Sequence, residues 1–215
     1  MTISVLTLFP EAFTVFERSI IKRAQVKNLA KINILNLRDW SNDAYGSVDD
    51  RPYGGGAGMI LRVDIIHKAV EDIIKKFHDS RSGVKIIVTD AGGEIYTQKN
   101  AQRFSSFEDM IIICGHYEGI DHRVHEYMAD EIVSIGEYVL SGGEIPAMVV
   151  VDSVIRLIPG VLGNSESLSE ESHNTKKNEY PQYTRPEEYN NWKVPQILLS
   201  GDHKKISDWR KSKQE

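Results

Sequence analysis

Three stretches of this chain carry residue types and spacings suited to ligand chemistry. Gly115-His116-Tyr117-Glu118-Gly119-Ile120-Asp121 sets a carboxylate between two glycines, directly after an apolar run. Glycine lets a ligand approach the main chain, and Glu118 there can accept hydrogen bonds from a hydroxyl or an amine. In Ser134–Pro146, the run Ile132–Ile135 leads into Gly136, and Tyr138-Val139-Leu140 leads into Gly142-Gly143. Such a loop reads its ligand largely through backbone groups. It fits neither G-x-G-x-x-G nor G-x-x-x-x-G-K-[ST], so a ligand other than a dinucleotide or nucleoside triphosphate is expected. Asp49–Met59 holds four glycines in five residues between charged and aromatic flanks. That composition suits a loop closing on a substrate as well as a plain connector.

Other candidates stand beside plainer readings. Asp152 and Arg156 lie four apart on a helical pattern, where a simple ion pair is the ordinary outcome. The helix begins at the glycine loop, so the arginine is also placed to bind a phosphate or stabilise charge on a substrate oxygen. Asp121 reads equally well as a helix cap. His116, His122 and His125 lack the thiolate or carboxylate spacing of a zinc site, and no metal ligand is assigned. Cys114, the only cysteine, ends a buried-type strand and reads as a core thiol. No G-x-S-x-G elbow is present.

The elements that must position these loops follow from periodicity. Short β-branched runs predict strands at Ile3–Leu8, Ile32–Leu37, Val84–Thr89, Met110–Cys114 and Ile132–Ile135. Helical patterns alternate with them at Glu11–Gln25, Val63–Phe77, Ala101–Phe107, Gly119–Met128 and Pro146–Ile158. This alternation predicts an α/β fold with a parallel sheet covered on both faces. Ligands in such sheets bind beyond the carboxyl ends of the strands. Gly92, Gly115 and Gly136 are all expected just past such an end. Polar residues 163–180 read as a linker, and Lys204–Lys213 as a final amphipathic helix.

Composition bounds the rest. The chain has 215 residues and a formal charge of −5, with one cysteine. A disulfide framework is excluded and a reducing, cytoplasmic setting is expected. Met1–Pro10 has no basic leader or cleavage site. No apolar run approaches the roughly 20 residues of a membrane span, so no membrane partner is expected. Residues 172–215 carry 9 Lys+Arg against 6 Asp+Glu, a net of +3 that leaves −8 on the remainder. A basic segment on an acidic body permits a local nucleic-acid patch, although charge runs are often merely solvated.

Leu8-Phe9-Pro10, Asp49–Met59, Cys114–Asp121, Ser134–Met148, Asp152–Gly163, Pro181–Pro186 and Leu198-Leu199-Ser200-Gly201 together resemble one family. It is the bacterial tRNA (guanine-37-N1)-methyltransferases, TrmD, of the knotted SPOUT superfamily. The resemblance spans nearly the whole chain. It implies a parallel sheet with a C-terminal deep trefoil knot and a small helical C-terminal domain. The implied division is a catalytic domain at 1–162, a linker at 163–180 and a tRNA-binding domain at 181–215. It also implies a homodimer that binds S-adenosyl-L-methionine in the knot at the interface.

Carried over residue by residue, the donor would lie between three loops. The first is Thr89, Asp90 and Ala91. The second brings Gly115, Tyr117, Glu118 and Gly119. The third runs from Ser134 to Gly143, including Glu137, Val139, Gly142 and Gly143, with Pro146 beyond it. Backbone groups of Ile135, Gly136, Tyr138 and Leu140 would read the adenine edge, and Glu118 the ribose hydroxyls. Asp50, Arg51, Gly55, Gly58 and Arg185 would meet the tRNA. Lys204, Lys205, Arg210 and Lys211 would contact the anticodon stem. The linker would order over the active site of the opposite subunit when tRNA binds. Arg156 matches the arginine near the target guanine's carbonyl oxygen. The family's catalytic Asp-Ser-Phe is here Glu171-Ser172-His173, so Glu171 is the expected general base, with Glu170 a second candidate. The family also works with magnesium, and the tail ends earlier than in many members.

Other readings make different demands. A dehydrogenase or kinase needs a phosphate fingerprint that is absent here. A non-catalytic RNA-binding module needs no donor loop. A methyltransferase for another RNA position would keep Ser134–Gly143 but lack the Asp49–Met59 loop and the linker carboxylate.

Overall fold

Runs of Ile and Val build a sheet whose side chains alternate between two helical layers. The structure, a computed structural model, describes residues 1–77, 83–162 and 179–214. The chain forms two compact units, Met1–Gly163 and Asn164–Glu215.

In the first unit, β1 (Thr2–Thr7) is followed by a 3-10 helix at Pro10–Glu17, α1 (Ser19–Val26) and β2 (Lys31–Asn36). A small hairpin of β3 (Asp49–Asp50) and β4 (Ile60–Leu61) precedes α2 (Val63–Phe77). Then come β5 (Val84–Ile95), α3 (Gln98–Phe104), β6 (Asp109–Cys114), α4 (His122–Tyr127), β7 (Glu131–Ser134) and α5 (Glu144–Ile155). The central sheet has the order β2-β1-β6-β5-β7, and every pairing is parallel. The predicted α/β class and parallel sheet are therefore what the chain forms.

Successive strand residues face opposite layers. Ile3, Val5, Ile87, Met110, Ile112 and Cys114 join one core with Phe13, Phe16, Phe104 and the α5 residues Val150, Val151 and Val154. Leu6, Ile86, Val88, Ile111 and Ile113 join the other, against Ile65, Ile66, Val70, Ile73 and Ile74 of α2 and Val124 of α4. Two buried layers explain why the strands read as continuous apolar runs rather than alternating ones.

Three expectations are corrected. The pattern at 11–25 is not one helix: Arg18 is extended and Ser19 has φ 52°, which separates the 3-10 turn from α1. The strand expected to stop at Thr89 runs on to Ile95 through a bulge, because Val133 of β7 aligns with both Thr89 and Glu94. Gly92 consequently lies inside a strand and not beyond its end. The last helix of the unit begins at Glu144, two residues before Pro146, with Gly143 as its N-cap.

The second unit is described by itself over 179–214. It holds a two-stranded hairpin, β8 (Glu188–Tyr189) and β9 (Trp192–Lys193), then α6 (Gln196–Leu199) and α7 (His203–Ser212). Asn190 and Asn191 turn the hairpin at positive φ of 49° and 66°, the backbone a two-residue I′ turn demands. The Asp202 side chain caps α7 by accepting the Lys205 N–H at 3.1 Å. Arg210 lies over the Tyr180 ring at 4.8 Å. No helix among the described residues is long and apolar enough to cross a membrane.

Cys114 is buried at the end of β6, and burial, then the nearby Glu144 charge, raise its thiol well above the ordinary value. Thiolate is the reactive form. A disulfide reagent should therefore label the native protein orders of magnitude more slowly than the chain in denaturant. Comparable rates in both states would show that this strand end is open to water.

Candidate functional site

The carboxyl ends of the adjacent strands β6, β5 and β7 open into one cleft. Its wall is drawn from the bulge after Thr89, the turn after Cys114 and the long loop after β7, and it closes on Pro146 of α5. The cleft encloses about 170 Å³.

The long loop after β7 reaches the cleft by passing over the end of β6. Gly143 N–H donates to the Gly115 carbonyl at 2.7 Å, and His116 pairs with Gly142 across the same gap. A Cβ on Gly143 would lie 2.2 Å from Thr89 Oγ1, 2.6 Å from Gly115 N and 2.8 Å from Cys114 Cα. Only glycine fits there, because two of those three atoms belong to backbone. The buried Thr89 hydroxyl lies within bonding distance of the carbonyls of Ile113 (3.2 Å) and Gly143 (3.3 Å). Just beyond, Glu144 opens α5 while buried, accepting the Thr7 hydroxyl at 2.8 Å. A carboxylate in a helix's first turn is favoured by the dipole, so this contact pins the helix start to the end of β1.

The turn at 134–138 is closed by its own groups. Ser134 Oγ donates to the Gly136 carbonyl at 2.9 Å, and Tyr138 N–H bonds the same carbonyl at 2.9 Å. The Tyr138 ring folds over Gly136, where a Cβ would come within 2.2 Å of it.

The glycine loop of the β3–β4 hairpin is stitched to the Glu118 turn. Glu118 N–H donates to Met59 O at 3.1 Å, Leu61 N–H to Gly119 O at 3.0 Å, and Asp121 N–H to Leu61 O at 3.0 Å. Gly58, at φ 73°, lies against the Glu118 side chain, which a Cβ would meet at 2.3 Å. Asp121 caps α4 by accepting Arg123 N–H at 3.0 Å, and the Arg123 guanidinium holds its carboxyl below the usual range.

The structure therefore brings the three predicted loops together in one cleft, with Gly58 beside Glu118 and with Glu137 exposed outside the wall. Asp50, Arg51 and Gly55 lie on the exposed hairpin outside the cleft wall. Arg156 caps the C-terminal end of α5. It lies twelve residues from Glu144, about 18 Å along the helix at its usual rise, and does not line the cleft. Arg185 belongs to the second unit. Glu170 and Glu171 lie outside the described residues, as does the linker apart from 179 and 180.

Sequence reasoning placed His116 and Ser141 within the loop ranges and missed Val133 in the wall. It also missed two long-range pairs, Thr7–Glu144 and Asp90–His125. Among the described residues no group of three or more His, Cys, Asp or Glu is gathered to hold a metal ion.

The family model described as tRNA (Guanine-1)-methyltransferase TrmD matches residues 1–215. A protein named tRNA (guanine-N(1)-)-methyltransferase from Dehalococcoides mccartyi (strain CBDB1) is 48% identical over 212 residues, which cover 98% of this chain and 84% of that one. One of the same name from Bacillus cereus (strain AH820) is 47% identical over 211 residues, 98% of this chain and 85% of its own.

The close approach at Gly143 predicts an asymmetric cost of adding one methyl. Gly143→Ala should destabilise the chain by about 2 kcal/mol or more, because backbone has to move. Gly54→Ala adds a Cβ with nothing within 4 Å and carries only the strain of φ 85°, about 1 kcal/mol. Urea melts of the two variants check this, and equal midpoints would refute the packing account.

Proposed function

The chain belongs to the tRNA (guanine-1)-methyltransferase TrmD family, and from that membership we propose a specific reaction. The chain transfers a methyl group from S-adenosyl-L-methionine to ring nitrogen 1 of guanosine 37 in tRNA, where a guanosine precedes it, at the interface of a knotted homodimer. Relatives bearing the enzyme's name across 98% of the chain make it an enzyme of this kind. The observation that carries the donor assignment is the convergence of three loops from adjacent parallel strands into one cleft built around glycines.

The cleft fits such a donor. Tyr138, Val139, Leu140 and Pro146 offer apolar surface to an adenine ring, and the backbone of Ile135–Leu140 supplies groups for its edge. Glu118 is exposed, where it can accept ribose hydroxyls. No phosphate loop is needed, because this donor has no phosphate.

When bound, S-adenosylmethionine supplies an electrophilic methyl on a sulfonium sulfur. The protein has two further tasks. Guanine nitrogen 1 carries a proton at neutral pH, so a base within hydrogen-bond reach must remove it. Negative charge then gathers on the neighbouring carbonyl oxygen and needs a cation. We assign the base to Glu171, with Glu170 as alternative, and the cation to Arg156. Specificity would come from edges of the flipped-out guanosine and its neighbour. Phosphate contacts by Lys204, Lys205, Arg210 and Lys211 would supply affinity. Asp50, Arg51, Gly55, Gly58 and Arg185 are assigned to the tRNA side.

Two observations support the dimer. Helix α5 is apolar on nearly every side, yet Ile145 (57%) and Val149 (41%) are exposed one turn apart, and Tyr138 and Val139 (85%) of the loop before it are exposed too. A helix of that character is normally covered. The second is Arg156 at the far end of α5 from the cleft: a symmetry-related chain can supply it, as a single chain does not. The return of the chain across β6 before α5 supports the knot, and the net charge of +3 over residues 172–215 supports the assignment of 181–215 as the tRNA-binding domain.

Paired transcripts test the substrate. A labelled-donor assay should methylate tRNA carrying guanosine at 36 and 37 and leave the adenosine-37 version unlabelled. Equal labelling of both, or of neither, would refute the assignment. Glu171→Gln should cut single-turnover methylation by orders of magnitude while donor binding persists. Mixing it with Glu118→Ala should restore activity if base and donor loops come from different chains. A near-normal rate for Glu171→Gln alone would sink the base assignment, and failure of the mixture to recover would sink the shared site.

A further inference from the structure

Asp90 lines the cleft at the first turn of the β5 bulge. Its carboxylate is held at both oxygens. Oδ1 accepts the Gly92 N–H at 2.8 Å, and Oδ2 lies 3.1 Å from Nε2 of His125 on α4. The imidazole is nearly buried, with 10% of its side chain exposed, and stacks on His122 with ring centroids 5.5 Å apart and planes at 17°. The bulge is fixed from behind: a Cβ on Gly93 would sit 2.7 Å from the Ile132 backbone.

His125 Nδ1 is buried with no partner among the described residues. An imidazolium would leave an Nδ1–H donor stranded there, whereas the neutral ring with its proton on Nε2 strands only a lone pair. In that tautomer Nε2–H donates to Asp90 without cancelling its charge. Among the described residues no lysine or arginine pairs with Asp90, and the side chain at its Oδ2 is this histidine. A preorganised negative charge therefore stands at the wall of the cleft, with about a third of its side chain open.

We propose that Asp90, aimed by His125, recognises the positive charge of the methyl donor and so distinguishes donor from spent product. The inference rests on the donor assignment made above. In methyl transfer the S–CH3 bond breaks and its electron pair stays on sulfur. The sulfonium becomes a neutral thioether, the methyl joins guanine nitrogen 1, and that nitrogen's proton goes to the base. S-adenosylmethionine and S-adenosylhomocysteine share adenine, ribose and amino-acid groups, so a charge contact is what separates them. A fixed carboxylate in a partly dehydrated wall favours the cationic form and loses that preference after transfer. Asp90 would act directly on the ligand, and His125 is a positioning residue acting through it.

Calorimetric titration of the full-length chain with S-adenosylmethionine and, separately, S-adenosylhomocysteine tests this without turnover. Asp90→Asn keeps an oxygen for the Gly92 N–H and removes the charge. It should weaken the methyl donor about tenfold, as expected for loss of one partly screened charge contact, and leave the product nearly unchanged. His125→Phe should move the same ratio in the same direction, His125→Gln should restore it, and His125→Phe added to Asp90→Asn should change nothing more. Thermal melts of each variant report folding separately. If the wild-type chain binds both ligands and Asp90→Asn shifts them equally, or shifts neither, this inference alone is overturned. If the wild-type chain binds neither, the donor assignment falls and takes the inference with it.

Discussion

Everything at the carboxyl end of the sheet depends on one contact without a side chain. Where Gly143 crosses the end of β6, backbone meets backbone at hydrogen-bond distance, and the space a methyl would occupy already holds Thr89 Oγ1, Gly115 N and Cys114 Cα. Because that crossing is tight, the loop from Ser134 to Gly142 is folded back against the β5 and β6 turns and walls a cleft. The same crossing sets where α5 begins, and the buried Thr7–Glu144 hydrogen bond then ties that helix start to β1. A strand end, a helix start and two ligand loops thus share one point of closest approach. Substitution there is felt by all of them together, unlike substitution at the open Gly54 or Gly55.

The sheet was readable because each strand is short, β-branched and bounded by polar residues or glycine. Val63–Phe77 emerged with its predicted bounds because six apolar positions at helical spacing face one layer and nothing interrupts them. What misled the reading was local chemistry overridden by distant pairing. Asp90-Ala91-Gly92-Gly93 has the composition of a turn, yet β7 continues to pair beyond it and makes it a bulge. Glu11 to Gln25 has helical periodicity throughout, but Ser19 at positive φ breaks it. The three loops of the cleft could be found because glycine after an apolar run is a local signal. The pairs Thr7–Glu144 and Asp90–His125 could not, since their members lie 137 and 35 residues apart and nothing in either residue type names its partner.

Carboxylates around the cleft differ in environment, and the difference sorts their work. Glu144 is buried beneath a helix N-terminus with a hydroxyl partner, so its charge is spent on holding α5. Asp121 is tied to Arg123 and to the cap of α4, so its charge is largely answered. Glu118 is open to solvent, braced by Gly58 on one side and by its own N–H bonded to Met59. Asp90 is fixed at both oxygens but not neutralised. Of these four, the last two can still meet a ligand, one suited to hydroxyls and the other to a cation.

Helix α5 sets the limit on what one chain can do. Its first turn belongs to the cleft through Pro146, while Arg156 stands at its other end, about 15 Å away at the usual rise per residue. A rigid helix cannot deliver both ends to a single reacting atom. If Arg156 serves the reaction proposed for this family member, it serves a cleft on another chain, and the exposed Ile145 and Val149 lie between the two ends, where a two-fold contact would have to form. The apolar surface and the misplaced arginine are then consequences of one arrangement. If α5 pairs isologously with its copy, that contact would cover the first and would bring the second to the neighbouring chain's cleft, twice by symmetry.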